Sequence, residues 1–149
     1  MSGGWRTATS LRSMSMSLKT WKQEFYPIPA REAAEKGMIA CIKHSLQKWI
    51  GLRQKNLSSH MVGGTRAISN NYGHYEGCFH VDARSCSLCQ KYDKTAESCE
   101  SCPILQATGS ACHGWPGSPY GRYICDGDPE PMINTLNRTL EWARKRHGK

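Results

Sequence analysis

Five cysteines between residues 86 and 112 constrain this chain more than any other feature of its sequence. They occur as Cys86-Ser-Leu-Cys89, then Cys99-Glu-Ser-Cys102 after nine intervening residues, then Cys112 after another nine. Two Cys-x-x-Cys pairs at this separation are typical of a tetrahedral zinc site, because each pair forms a tight turn that presents two sulfurs from one side. The spacing therefore predicts a structural zinc knuckle.

Three other uses of these thiols compete with zinc. Disulfides need an oxidising compartment, and the N-terminal residues contain no apolar run typical of a secretory signal. A thioredoxin-like redox pair is expected between a strand and a helix in a βαβ pattern, which the sequence does not show. An iron–sulfur cluster also uses four thiolates, so spacing alone leaves that alternative open.

Five sulfurs compete for the four positions of a tetrahedral site. We expect the two paired turns to bind the metal, with Cys112 able to replace Cys99, so the predicted zinc ligands are Cys86, Cys89, Cys99 and Cys102. Such a metal would also compensate for a small core. Only 38% of the 149 residues are hydrophobic and the mean hydropathy is −0.61. Both values are low for a domain that folds without a stabilising metal or disulfide.

The chain is expected to contain one domain preceded by an extension. Residues 1–19 are rich in Ser, Met and Arg and contain no acid, so we expect them to be disordered or to precede the true translation start. Residues 20–149 are expected to form one zinc-stabilised domain. Its parts are a helical segment over 20–62, a hairpin within 63–85, the knuckle and a loop over 86–127, and a helix over 128–147.

Two amphipathic helices are predicted on either side of the knuckle. In the first, Ile39, Ile42, Leu46 and Trp49 recur on one face and Gly51 is a natural stop. The second begins at Asp128-Pro129-Glu130, a good capping sequence, and its buried stripe is expected to be Ile133, Leu136, Leu140 and Ala143. The predicted fold class is α+β and mostly helical, a small single domain with the zinc knuckle between these helices.

Four short segments of the sequence are distinctive. They are His44-Ser-Leu-Gln-Lys-Trp49-Ile-Gly-Leu-Arg53, Cys102-Pro103-Ile104, Ser118-Pro119-Tyr120 and Gly127-Asp-Pro-Glu-Pro-Met132. Together they resemble small cysteine-rich proteins encoded by tailed bacteriophages, most of which have no assigned activity. The resemblance covers about residues 20–57 and 86–142. It implies a phage-encoded accessory protein in the host cytoplasm and implies no particular reaction.

Groups suited to catalysis are few. The sequence has no His-Glu-x-x-His, no glycine-rich phosphate loop and no nucleophile elbow, and a site of four thiolates has no open position for a substrate. An enzyme is therefore not the leading expectation. His44 and Lys48, with Trp49 and Arg53, are the residues able to line a pocket for an anion or a partner, although such residues more often form a packed helix edge.

The net charge of +8 bears on the partner. Residues 1–60 carry ten Lys or Arg and three Asp or Glu, which favours nucleic acid or an acidic protein surface.

We expect a non-enzymatic protein that binds and modulates a host protein or a host defence component. A zinc-finger-type nucleic-acid-binding protein is the first alternative, and a small metal-dependent hydrolase or nuclease is the second. No apolar run approaches the ~20 residues that span a bilayer, so a membrane is not expected as a partner.

Overall fold

The computed structural model describes residues 18–62, 68–69, 79–92 and 101–146. This part of the chain is a small domain and mostly helical, which confirms the coarse prediction. Cys99 and residues 1–17 of the predicted extension lie outside the described residues. The helices are α1 (18–25), α2 (Ala30–Ala33), α3 (Met38–Gly51), α4 (Gln54–Ser59), α5 (Ser87–Tyr92), α6 (Pro103–Thr108), α7 (Pro119–Asp126) and α8 (Glu130–Arg146), with a 3-10 turn at Ala83–Ser85.

Two very short strands replace the predicted hairpin. Strand β1 (Ile68–Ser69) pairs with β2 (Phe79–His80) in the parallel direction, with Ile68 opposite Phe79. A hairpin requires antiparallel strands joined by a tight turn, whereas parallel strands need a connection that carries the chain back to its starting end. The prediction of a hairpin over 63–85 is therefore wrong. The β part of the fold is limited to this pair in the described residues.

Helix α1 begins before residue 20, so the predicted boundary after residue 19 is too late. Leu18 and Lys19 are already helical, and the helix ends ahead of Pro27, as expected because residues that precede proline avoid helical geometry. Trp21 and Phe25 lie one turn apart on its buried face. The Trp21 indole Nε1 donates a hydrogen bond to the carbonyl of Gly51, 2.8 Å away, which joins α1 to the end of α3.

The buried face of α3 differs from the predicted stripe. Ile42 and Trp49 are buried, but Ile39 and Leu46 are only half-buried. The burial extends instead to Cys41, Ser45 and Lys48, which are spaced by four and three residues. Helix α3 packs against both α8 and α5, so a broader surface is covered than one amphipathic stripe requires.

The C-terminal half agrees better with the sequence. Helix α8 buries Ile133, Leu136, Leu140 and Ala143, as predicted, and the side chain of Asp128 accepts a hydrogen bond from the N–H of Glu130. Residues 113–127 fall within the predicted loop, but only their first half lacks a helix. Their second half is α7, which Ser118 caps by accepting from the N–H of Gly121.

The core brings these helices together around α3 and α8. Helices α6 and α7 pack on α8, while α2 and α5 pack on α3. The largest fully buried apolar side chains come from most of these elements: Trp21, Ile42, Leu52, Val62, Val81, Leu88, Ile104, Ile133 and Leu136. None of the helices in the described ranges has the length and apolar character needed to cross a membrane.

Candidate metal centre

Two of the predicted ligands, Cys86 and Cys89, and the possible replacement Cys112 line one cavity of about 230 Å³, which we call the cysteine pocket. Cys86 and Cys89 come from the start of α5, and Cys112 comes from the loop between α6 and α7. The other walls come from α3, the 3-10 turn, α7 and α8. They are Lys48, Trp49, Asp82, Ala83, His113, Tyr120 and Met132.

The first Cys-x-x-Cys pair has the local geometry of a metal-binding turn. Cys86 directly precedes α5, and its Sγ accepts a hydrogen bond from the backbone N–H of Cys89 at 3.4 Å. The thiol of Cys89 is hydrogen-bonded to the same sulfur. Because the turn brings the N–H and the second thiol to one side, both sulfurs face the same cavity. That arrangement is what a paired ligand to a tetrahedral metal requires.

The remaining two described cysteines of the block approach this pair from other elements. Cys102 is the N-cap of α6, and Cys112 lies in the loop that leads to α7. The carbonyl of Cys112 accepts a hydrogen bond from the N–H of Tyr120, which fixes the loop against α7. Both cysteines are close enough to Cys89 for their negative charges to raise its pKa.

A polar seam along the buried face of α3 holds the segment Ser85-Cys86-Ser87. The seam consists of the carbonyl of Cys41 and the side chains of Ser45 and Lys48. The Ser87 hydroxyl donates to the Cys41 carbonyl at 2.8 Å, and the Ser45 hydroxyl is hydrogen-bonded to Cys86 Sγ at 3.7 Å. Three turns of one helix therefore position three consecutive residues of the knuckle.

Lys48 completes the seam and is buried, with only 1% of its surface exposed. Its Nζ donates to the carbonyl of Ser85 at 3.1 Å and to the Ser85 hydroxyl at 3.2 Å. The amine also lies 5.3 Å from the centre of the Trp49 ring, in a cation–π position. A buried charge of this kind is costly unless opposite charge is nearby, and the cysteine pocket contains three thiols that can ionise.

The ionisation of these groups is coupled. The hydrogen bond from the Cys89 thiol holds the pKa of Cys86 well below its ordinary value of 9.0; the charge of Lys48 and the Cys89 N–H act in the same direction, against burial. That same hydrogen bond raises the pKa of Cys89. Burial lowers the pKa of Lys48, and the negative charges of Cys86, Cys89 and Cys112 oppose this shift. The charges of Cys86 and Lys48 therefore favour each other's ionised form.

The complete zinc knuckle is not present in the described part of the chain. There, no group of three or more His, Cys, Asp and Glu side chains is arranged to hold a metal ion. The predicted ligand Cys99 lies outside the described residues, so the two predicted pairs cannot be compared as pairs. What the structure brings together is Cys86, Cys89 and Cys112 around one cavity, with Cys102 nearby.

Of the four residues predicted to line a pocket for an anion or a partner, two lie together in the cysteine pocket. Lys48 and Trp49 line the cysteine pocket. His44 faces another way, with its Nε2 2.8 Å from the carbonyl of Ile28 and its ring 5.0 Å from that of Tyr26. Arg53 forms a two-point ion pair with Glu130 at the start of α8. His44 is nevertheless close enough to Lys48 for the charge of Lys48 to lower its pKa, and a site shared by all four residues stays a prediction.

Sequence reasoning missed the serines that surround Cys86. Ser45, Ser85 and Ser87 are all buried; Ser45 belongs to the seam, and Ser85 and Ser87 belong to the segment that the seam holds. A serine has no periodic signature of its own, since it is common in loops and on surfaces. One signal was available, because Ser45 and Lys48 fall three residues apart on the same face as Cys41.

Comparison with known proteins adds no family to these observations. No protein-family model matches the chain, and no curated protein or solved structure matches it significantly.

Proposed function

We propose that this chain is a zinc-stabilised, non-enzymatic binding protein, encoded by a phage, that modulates a host protein or defence component. The observation that carries the proposal is the convergence of Cys86, Cys89 and Cys112 on one pocket, with Cys102 beside it. Four thiolates form a closed structural site, which stabilises a fold and leaves no open position for a substrate.

The geometry favours Cys112 as the fourth ligand. Cys112 lines the same cavity as the first pair, and the loop that carries it is tied to α7 by the backbone hydrogen bond from Tyr120. The proposed ligands are therefore Cys86, Cys89, Cys102 and Cys112, with Cys99 as the alternative to Cys112. A metal held by these residues would join α5, α6 and the loop before α7 at one point.

The binding role is supported by a tryptophan next to the proposed metal centre. Trp115 follows Cys112 by three residues, and 43% of its surface is exposed. Its indole Nε1 donates to the carbonyl of Ala111, and its own carbonyl accepts from the N–H of Ser118, so the loop is well held. Tryptophan is enriched among residues that dominate protein–protein binding energy, above all when it is preorganised. We propose Trp115 as the centre of the partner-binding surface.

The class of partner follows from charge. The chain has a net charge of +8, which favours an acidic protein surface. The resemblance of the strings around Trp49, Cys102 and Pro119 to small phage proteins supports a host protein as the owner of that surface and the host cytoplasm as the place.

Nucleic-acid binding is the second candidate, and one observation favours it. The last turn of α8 exposes Arg144, Lys145 and Arg146 together, and Arg138 is exposed two turns earlier. Lys145 is paired with Glu141 at 3.9 Å, and Arg146 stacks over the Trp142 ring, so part of this charge is already engaged. Phosphate contacts would give an affinity that falls steeply with salt, which a protein partner need not show.

Zinc content tests the first part of the proposal. Protein purified under reducing conditions is expected to carry one zinc per chain by native mass spectrometry. Cys89→Ser and Cys112→Ser are expected to lose the metal, whereas Cys125→Ser, which removes an exposed thiol on α7, is expected to keep it. A metal-free wild type, or a Cys112→Ser variant with full zinc content, would contradict the zinc proposal or the choice of Cys112, respectively.

Capture from host lysate tests the second part. The wild type is expected to retain a host protein that Trp115→Ala does not retain, with both proteins loaded with zinc. Met61→Ala is the matched control, because Met61 is the other large apolar side chain that the described residues leave exposed. Equal capture by Trp115→Ala and wild type would remove this surface from the proposal. Capture of duplex or single-stranded nucleic acid that disappears at physiological salt would favour the second candidate instead.

A further inference from the structure

The cysteine pocket contains a charge that a structural zinc site does not ordinarily need, the ammonium group of Lys48. It is buried, it comes from α3 rather than from the cysteine block, and it lines the pocket with Cys86, Cys89 and Cys112. The sequence offers no reason for a lysine at a position whose neighbours on the same face are Cys41 and Ser45.

The hydrogen bonds of Lys48 place its amine but do not exhaust it. An ammonium group has three N–H donors. Two of them have partners on Ser85, the residue directly before Cys86. Contacts to Ser85 therefore hold the amine in the wall of the cysteine pocket, which it shares with Cys86, Cys89 and Cys112.

A zinc centre held by the four proposed thiolates would have an unbalanced charge. Four thiolates around one divalent zinc ion leave two negative charges, and burial makes uncompensated charge costly. Groups outside the ligand shell commonly reduce this cost by donating hydrogen bonds to the ligands. Cys86 Sγ already receives the N–H of Cys89 and the hydroxyl of Ser45. Both are neutral groups, so they reduce the charge only in part.

We propose that Lys48 is the internal counter-ion of the four-thiolate zinc centre, held in place by Ser85 and acting through charge as a positioning residue. This inference rests on the proposed zinc site and deepens it. It gives a reason for a buried lysine that forms no salt bridge in the described residues, although the charge of Asp82, in the same pocket, also acts on it. It also predicts that removing the charge weakens metal binding more than removing an equivalent pair of hydrogen bonds elsewhere.

The chain offers a matched control for the hydrogen bonds. Lys91 Nζ donates to the carbonyls of Ala34 and Lys36 at 3.1 and 3.0 Å, so it joins α5 to the end of α2 as Lys48 joins α3 to Ser85. Lys91 does not line the cysteine pocket. Lys91→Met removes a lysine with two such bonds, whereas Lys48→Met removes the same contacts and also a charge next to the thiols.

The experiment measures the zinc dissociation constant by competition with a chromophoric chelator, in reduced full-length protein at fixed pH and salt. Lys48→Met is expected to weaken zinc binding by roughly 10- to 100-fold, the effect typical of groups behind the ligand shell. Lys91→Met is expected to stay within about threefold of wild type, because its hydrogen bonds do not involve the metal centre. Equal losses in the two variants would overturn the proposal.

A double-variant cycle separates charge from structure. Cys112→His replaces one proposed thiolate by a neutral ligand, so the centre carries one negative charge fewer and needs Lys48 less. The loss caused by Lys48→Met is therefore expected to shrink by about tenfold or more in the Cys112→His background. Cobalt absorption in both backgrounds would report the number of sulfur ligands independently. A loss of the same size in both backgrounds contradicts the charge role.

The outcomes also separate this inference from the zinc proposal. A wild type that binds no zinc contradicts both. A wild type that binds zinc as tightly as Lys48→Met does contradicts the role of Lys48 alone. If Lys48→Met fails to fold, Cys112→His is expected to restore zinc-dependent folding in the double variant, and failure to restore it overturns the proposal.

Discussion

Gly51 lies against the ring of Phe25 so closely that no larger residue fits at that position. A Cβ atom at residue 51 would be 2.6 Å from Cβ of Phe25. The backbone of Gly51 also accepts the hydrogen bond from Trp21. The glycine is therefore required for the close approach of α1 to the end of α3, and not for a left-handed helix stop, because Gly51 is itself the last helical residue.

Gly51→Ala is expected to lower the free energy of unfolding by about 1–3 kcal/mol, the cost of forcing extra atoms into a packed core. Urea unfolding of the reduced protein measures it. Gly37→Ala is the control, since a Cβ there meets nothing within 4 Å and the residue precedes α3 with an ordinary negative φ. A Gly51→Ala variant as stable as Gly37→Ala would show that α1 can move away without cost.

Ser87→Ala is expected to lower the free energy of unfolding by about 1–2 kcal/mol, because it removes a buried donor to the carbonyl of Cys41 and a neighbour of the Ser45 hydroxyl. Ser59→Ala is the control. Ser59 also donates to a backbone carbonyl, that of Asn56, but it is exposed on α4, so we expect a change below about 0.5 kcal/mol. Equal effects would mean that the seam does not anchor the knuckle.

Arg53 and Glu130 are expected to couple weakly. Their two-point contact joins the residue before α4 to the first residue of α8, but about a third to a half of each side chain is exposed. Solvent screens such a pair, so a double-mutant cycle with Arg53→Met and Glu130→Gln is expected to give about 0.5–1 kcal/mol at low salt. The coupling should fall as salt increases, and a coupling that salt does not change would contradict an electrostatic origin.

His44 is expected to make the fold sensitive to mild acid. Burial is the largest cause that lowers its pKa below the ordinary 6.5, and the charge of Lys48 adds to it, while the Ile28 carbonyl and Cys86 act in the opposite direction. The unfolded chain therefore binds a proton at a pH where the folded chain does not. Stability from this group is complete above about pH 6.5 and is lost as the pH falls below it.

The measurement is the free energy of unfolding against pH for wild type and His44→Gln. Over the window below 6.5, the difference between the two is expected to change by up to about 1.4 kcal/mol per pH unit. The comparison cancels the acid sensitivity of the thiol groups, which both proteins share. Parallel curves would show that His44 titrates normally in the fold.

The parts of the fold that could be predicted are those whose signals are local. Helix α8 follows from Asp128, Pro129 and a regular apolar stripe, and α6 follows from Pro103 at its start and Gly109 at its end, where φ is 83°. Helix α7 was missed because its sequence Pro-Tyr-Gly-Arg-Tyr-Ile-Cys-Asp contains a glycine and two tyrosines that also suit a loop. The strand pair was predicted in the wrong direction because the Asn- and Gly-rich connection between the strands is also typical of a hairpin turn.

In the candidate site, too, only the features with local signals could be predicted from the sequence. The spacing of the cysteines is enough to propose a thiolate site and its ligands, since each pair is a local unit. Nothing local indicates that Ser45 and Lys48 face Cys86, because that contact joins residues about 40 positions apart. Helical spacing correctly predicts that His44 and Lys48 lie one turn apart on α3. It does not indicate which other element packs against each of them.

The seam on α3 has a consequence for the order in which the chain acquires its structure during synthesis. Helix α3 leaves the ribosome before Ser85, Cys86 and Ser87 exist, and long before α8 arrives to cover its other side. Until then, the hydroxyl of Ser45 and the ammonium of Lys48 form hydrogen bonds with water. Burying that face before its partners exist would cost free energy. The polar face of α3 therefore cannot be buried before residues 85–87 are made, and α8 can pack on α3 only later still.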